Sequence, residues 1–348
     1  MMIMFLTGLV LILALVLFLP FLFHRVEENL ELFLFIMGIG AASISGIMNF
    51  KLILQALEEP LMITGAVLAA GLLFHFMKEK FIRCSNWLLT KIALPVLIFG
   101  IILGLGLISS IITAIIAAII LVELIALLPV KKEQKVVIAV IACFSIGLGA
   151  TLTPLGEPLA TIAVSKLDKD FFYLLNLLGK YIIPALFILA LAGAIYTARC
   201  TRTTSEPMIA IEPSTITLPA KSSVKETVKR AFKVYLFVMA LVFLGEGFQP
   251  LINAFIINLD SRLLYWVNTI SAVLDNATLT AAEVNLNMSD LQVRAILIGL
   301  LISGGMLVPG NIPNIICASR LKIPSREWAK IGLPIGLALL IIYYLILF

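Results

Sequence analysis

Within ISAVLDNATLTAAE, residues 270–283, Asp275, Asn276 and Thr278 place a carboxylate, an amide and a hydroxyl within four positions. With Ser271 and nearby backbone carbonyls they form a hard-oxygen set suited to Na+, which needs no soft ligand. The surrounding run is apolar, and a charge at mid-bilayer costs about 2.5–3.5 kcal/mol on insertion scales. An acid held there points to binding. Three more polar interruptions share this character: ISSIIT (108–113) with Ser109, Ser110 and Thr113; TLTPLGEP (151–158) with Thr151, Thr153 and Glu157; and VPGNIPN (308–314) with Asn311 and Asn314. Glu157, set between two prolines, is a carboxylate able to exchange a cation for a proton. The hydroxyls and amides around it are neutral oxygen ligands.

Two other acids are secondary candidates. Glu246 lies inside an apolar span between two glycines, in VFLGEGFQP. Glu123 is ten residues past Thr113, about 15 Å along a helix, where it should face water at the cytoplasmic mouth. Glu283 is expected near the outer mouth. The two histidines, His24 and His75, sit at span ends, and the four cysteines share no metal-ligand spacing. HExxH, a phosphate loop and a Ser/His/Asp set are absent from the sequence, so no enzyme and no organic cofactor are expected. The formal charge of +5 does not imply nucleic acid, because in so apolar a chain the location of the charges matters more than their sum.

The elements that must position these residues follow from hydropathy. Of the 348 residues, 61% are hydrophobic, and apolar runs of about 20 residues recur, enough to cross a bilayer as helix. The fold class is an all-α polytopic membrane protein. Spans are expected near 3–23, 30–50, 59–77, 136–166, 174–197, 232–250, 291–320 and 331–348, eight in all. The segment 1–23 reads as the first of them rather than as a cleavable signal. Residues 92–128 and 262–288 are too long for one crossing and carry polar positions near their middles. Each is expected to be a re-entrant hairpin.

Lysine and arginine placement supports this layout. With the N-terminus outside and both hairpins returning to their own side, nineteen of the 25 basic residues fall in five cytoplasmic loops. Both termini are then outside. The Ser/Thr/Pro-rich segment 198–230 is expected to be a cytoplasmic linker.

The halves resemble each other. ISSIITAIIAAI (108–119) aligns with ISAVLDNATLTA (270–281), pairing Thr113 with Asp275 and Ser109 with Ser271. Each is followed by a segment with two prolines at the same spacing, Pro154 and Pro158 or Pro309 and Pro313. Proline removes a helix hydrogen bond, so 136–166 and 291–320 should be broken helices. Such breaks are tolerated at membrane depth only within protein or beside a watery cavity. The expected organisation is therefore N-terminal spans over 1–77, a first repeat over 78–197, the linker, and a second, inverted repeat over 231–348. Hairpin plus broken helix in two inverted copies suits a midplane ion site.

SAVLDNAT with the following SGGMLVPGNIPN, and GATLTPLGEP in the first half, resemble the ion transporter superfamily. That superfamily includes D-type sodium/proton antiporters, arsenite permeases and dicarboxylate–sodium symporters. The chain looks most like a small, mainly prokaryotic family of suspected cation transporters. The resemblance implies two inverted repeats, a mobile hairpin domain and a scaffold that forms a homodimer. It also implies that Asp275 and Asn276 match the antiporters' hairpin-tip pair, while Gly304–Asn311 and Gly149–Glu157 match their breaks. Thr113 stands where those antiporters often carry a second acid. The expected function is cation-coupled secondary transport, foremost Na+/H+ antiport in the cell membrane, with Na+ at Asp275, Asn276 and Thr278. The alternatives are sodium-coupled transport of a dicarboxylate or oxyanion such as arsenite, and a non-transporting membrane scaffold.

Overall fold

The computed structural model describes residues 2–23, 25–26, 29–61, 64–65, 68–69, 72, 92–203, 224–255, 260–269, 276–284 and 288–348. Among them the secondary structure is helical throughout, with no strand. Two N-terminal helices, α1 (Met2–Leu22) and α2 (Leu30–Ile44), precede a helical stretch over 50–61. That stretch begins nine residues before the expected third span. Next come α3 (Leu94–Ile112), α4 (Ala114–Leu127), α5 (Lys132–Ala150), α6 (Pro158–Lys166) and α7 (Tyr173–Thr203). The remaining helices are α8 (Val224–Phe255), α9 (Ser261–Val267), α10 (Asn276–Glu283), α11 (Asp290–Met306), α12 (Ile312–Leu321) and α13 (Ser325–Leu347).

Five described helices are long and apolar enough to cross a membrane: α3, α5, residues 173–200 of α7, residues 231–251 of α8, and α13. Together with the all-helical fold, they fit a polytopic membrane protein. Helices α7 and α8 run into the segment read as a linker, to Thr203 and from Val224. The physical reason on the α8 side is composition, since VKETVKRAFK is built largely of good helix formers. The rest of that segment, 204–223, lies outside the described residues.

Both proline-bearing segments are broken helices, as their composition dictates. Helix α5 stops at Ala150 and the chain resumes as α6 at Pro158, whose missing N–H costs nothing at a helix start. Helix α11 stops at Met306, makes a short 3-10 turn over Val308–Gly310, and resumes as α12 with Pro313 in its first turn. Between α3 and α4 the interruption is a single residue. Thr113 has φ 77° and ψ 148°, a region nearly reserved for glycine that costs on the order of 1–3 kcal/mol for other residues. Its neighbours hold it there: the Ala114 N–H donates to the Gly156 carbonyl at 2.8 Å.

Helices α3 and α5 lie side by side in the same direction. Ser145 Oγ donates to the Ile102 carbonyl at 2.9 Å, and Thr153 Oγ1 donates to the Ser110 carbonyl, both across 43 residues. Between these contacts a Cβ on Gly149 would run into the Gly106 carbonyl, so the close approach requires glycine at this level. Helix α4 joins α5 by the short loop 128–131 and packs on it.

The rest of the packing is reciprocal. Helix α4 packs on α12 and α10 packs on α6, while α5 and α11 meet between them. Helix α8 packs along α2, where Lys233 and Glu31 form an ion pair at 3.1 Å. Through this packing α8 ties the N-terminal helices to the broken ones.

Candidate functional site

The two breaks meet at one cavity of about 740 Å³. Four half-helices start at its wall: Thr113 and Ala114 open α4, Glu157 and Pro158 open α6, Ala277 follows the first residue of α10, and Asn311 and Ile312 open α12. One face of α8 (Val238, Leu241, Val242, Glu246) and the end of the 50–61 stretch (Gln55, Glu58, Glu59) form the remaining wall. Four carboxylates therefore line the cavity, from Glu58, Glu59, Glu157 and Glu246, with no lysine or arginine among its described lining residues.

Glu157 is the buried one of these acids, 8% exposed. Its backbone is extended, at φ −157° and ψ 158°, and its side chain makes no cap to α6. Instead it accepts a hydrogen bond from Thr151 Oγ1 at 2.5 Å. Thr151 also reaches the Gly147 carbonyl at 3.3 Å, so the hydroxyl ties the carboxylate to the end of α5. Thr153 serves the break in another way. Its hydroxyl donates to Ser110 and accepts from the Leu155 N–H at 3.3 Å, pinning the turn to α3.

Asn311 occupies the matching place in the second break, with φ −154° and ψ 147° and likewise no side-chain cap. Its amide lies against Gly147 of α5. Asn314 is fully buried, and its Nδ2 donates to the Gly304 carbonyl at 2.8 Å and the Leu307 carbonyl at 2.9 Å. Those are carbonyls freed where α11 ends. Its Oδ1 has no partner. Asn276, 5% exposed, has no hydrogen bond on either side-chain atom. Its amide lies on Gly304, where a Cβ would meet Nδ2 at 2.5 Å and the Gly310 carbonyl at 2.9 Å. Ser303 Oγ is also buried without a partner. The second break thus gathers buried oxygens that no protein donor satisfies, an unfavourable arrangement unless something else binds them.

Other expected site residues have different places. Ser109 Oγ bonds the Gly106 and Ile146 carbonyls at 2.7 and 3.1 Å, and Ser110 Oγ bonds the Leu107 carbonyl at 2.8 Å. Ser109 bridges α3 to α5, Ser110 bonds back within α3, and neither is among the cavity-lining residues. Asp275 and Ser271 lie outside the described residues. Thr278 is in α10. Glu123 was expected to face water, but it is buried and forms an ion pair with Arg320, joining α4 to α12. The pairing of residues 197 positions apart is a product of the packing and has no local signal. Glu283, expected near a watery mouth, is 2% exposed and accepts a hydrogen bond from Asn268 Nδ2 at 3.0 Å. Sequence reasoning missed Glu58 and Glu59 as cavity residues. Their signal was only a pair of acids at the edge of an apolar span.

Among the described residues no three His, Cys, Asp or Glu side chains converge as a metal-ion group. The chemistry on offer is that of hydroxyls, amides, carbonyls and separate carboxylates, arranged around four half-helix starts.

Residues 6–348 match the family model described as protein of unknown function, DUF1646. The chain belongs to the DUF1646 family. No curated protein matches it.

Proposed function

We propose that this DUF1646 protein is a cation-coupled secondary transporter that exchanges Na+ for H+ by alternating access. The observation that carries this reading is the meeting of both broken helices at one carboxylate-lined cavity. Unsatisfied amide oxygens of Asn276 and Asn314 lie buried at the second break beside it. Broken-helix ends that meet inside a membrane protein suit an ion site. Half-helix N-termini carry partial positive charge, which offsets the cost of holding acids such as Glu157 there. In this reading Na+ is held by Asp275, Asn276 and Thr278, with Asn314 and Asn311 completing the oxygen set. Glu157 carries the exchanged proton, and competition at Asp275 couples the two fluxes, because one carboxylate cannot be neutralised by both ions at once.

The same reading divides the chain into two inverted repeats, 78–197 and 231–348, with re-entrant hairpins over 92–128 and 262–288. Three observations support it. The packing of α4 on α12 mirrors that of α10 on α6. Helices α3 and α5 run parallel, whereas α4 returns through a short loop. The Asn268–Glu283 bond joins positions nearly symmetric about Asp275 and Asn276, as the arms of a hairpin require. The N-terminal spans and α8 act as the scaffold, in a homodimer in the cell membrane, with both termini outside and 204–223 in the cytoplasm. In this reading the family is a member of the ion transporter superfamily.

A second reading, sodium-coupled transport of a dicarboxylate or oxyanion, draws on the four half-helix starts, since such ends also favour anions. The four carboxylates on the cavity wall count against it. Proteoliposomes separate the two. Na+-dependent proton flux that Asp275→Asn abolishes supports exchange. Unchanged flux in that variant, or Na+-driven uptake of labelled dicarboxylate without proton exchange, would overturn it.

A further inference from the structure

Away from the cavity, Asn268 and Glu283 form a buried pair 15 residues apart, 1% and 2% exposed. One contact is made, from Asn268 Nδ2 to Glu283 Oε2 at 3.0 Å. The other two side-chain atoms, Glu283 Oε1 and Asn268 Oδ1, are both buried without a partner. Both are acceptors when the acid is ionised, so neither can satisfy the other. A carboxylic acid and a primary amide have a better arrangement. The amide N–H donates to one acid oxygen, and the acid O–H donates back to the amide oxygen. The bond already present is the first half of that ring, and one proton on Oε1 supplies the second.

We propose that Glu283 is a proton-binding site, neutral in this conformation, with its O–H donating to Asn268 Oδ1. Among the described residues no charged neighbour competes for the proton. Among the described residues, charged side chains on the elements packed against α10, or joined to it through Asn268, are Glu157 and Lys166 at the two ends of α6, Glu246, Lys229 and Lys233 on α8, Asp290 and Arg294 on α11, and Asp260 and Arg262 at the start of α9. Lys233 pairs with Glu31, Asp290 accepts from Tyr173, Arg294 donates to Tyr181, and Glu246 faces the cavity. Among the described residues Glu283 is bonded only to Asn268. An ionised carboxylate buried without a counter-charge costs far more than a neutral one. The site takes up one proton from water and releases it when the pair is opened to solvent, with no other reactant. It is separate from the cavity and does not depend on the ion that the cavity carries.

Infrared spectroscopy of the full chain in lipid nanodiscs tests this directly. At neutral pH the wild type should show a protonated-carboxyl C=O band that Glu283→Gln removes. The glutamine amide preserves both hydrogen bonds, so this variant should fold. Asn268→Leu should keep the band but move it to higher frequency, because the O–H loses its acceptor. Coincident wild-type and Glu283→Gln spectra in that region would overturn the proposal, and so would an unshifted band in Asn268→Leu. Should Glu283→Gln fail to fold, the Asn268→Leu shift decides alone.

Discussion

The two breaks have nearly the same backbone and different chemistry. Glu157 and Asn311 share an extended conformation, both precede a proline-led half-helix, and both line the cavity. The first break is a worked-in acid: Thr151 holds the Glu157 carboxylate and Thr153 pins the turn. The second break is made of amides, with Asn314 satisfying two freed carbonyls and keeping one oxygen in reserve. The comparison teaches that the like backbone of the two breaks sets where groups stand, while side-chain identity divides labour between them. One side offers a charge that a proton can cancel, and the other offers neutral oxygens that cannot be titrated away.

If this division holds, the largest effect should come from removing the titratable charge. Glu157→Gln keeps the size of the side chain and its place beside Thr151, yet should abolish Na+-dependent proton flux in proteoliposomes. Undiminished flux would show that the two breaks are interchangeable. Next in size is Asn314→Leu, which strands the Gly304 and Leu307 carbonyls and should destabilise the fold by about 3 kcal/mol. Denaturation in mild detergent would measure it, and a near-neutral result would mean that Asn314 is not the support of its break. Thr151→Val removes one hydrogen bond to a carboxylate and should cost about 2 kcal/mol. Its pH profile of flux should shift while maximal flux survives, in contrast to Glu157→Gln. The smallest effect belongs to the scaffold wall. Glu59→Gln or Glu246→Gln should weaken apparent Na+ affinity by about two- to fivefold, the size of a screened charge interaction. That effect should fade as the concentration of an inert salt is raised.

Much of the frame is legible in the sequence. Pro154 with Pro158 and Pro309 with Pro313 mark the breaks, because a proline inside an apolar run has a local consequence wherever it sits. Glu157, Asn311 and Thr113 were found for the same reason, as polar residues at the interruptions themselves. What escaped the sequence depends on which neighbour each helix face meets. Glu123 was assigned to water, but α12 brings Arg320 onto it. Ser109 and Ser110 looked like ligands, whereas the parallel lie of α5 against α3 turns Ser109 into a bridge between helices. Glu58 and Glu59 are not singled out by the sequence, and only the packing brings them to the same cavity as Glu246. Glu283 shows the same limit, since it is buried and its partner Asn268 lies 15 residues earlier in the chain.

The claim that Na+ binds between an acidic and an amide break is tested most directly by ligand-linked melting of the purified full-length protein. Na+ should raise the melting temperature saturably, by the equivalent of about 2.7 kcal/mol at 100 times its Kd. K+ at equal ionic strength should not. The shift should vanish in Asp275→Asn and shrink in Asn276→Ala. Equal shifts with Na+ and K+, or an undiminished Na+ shift in both variants, would contradict the account.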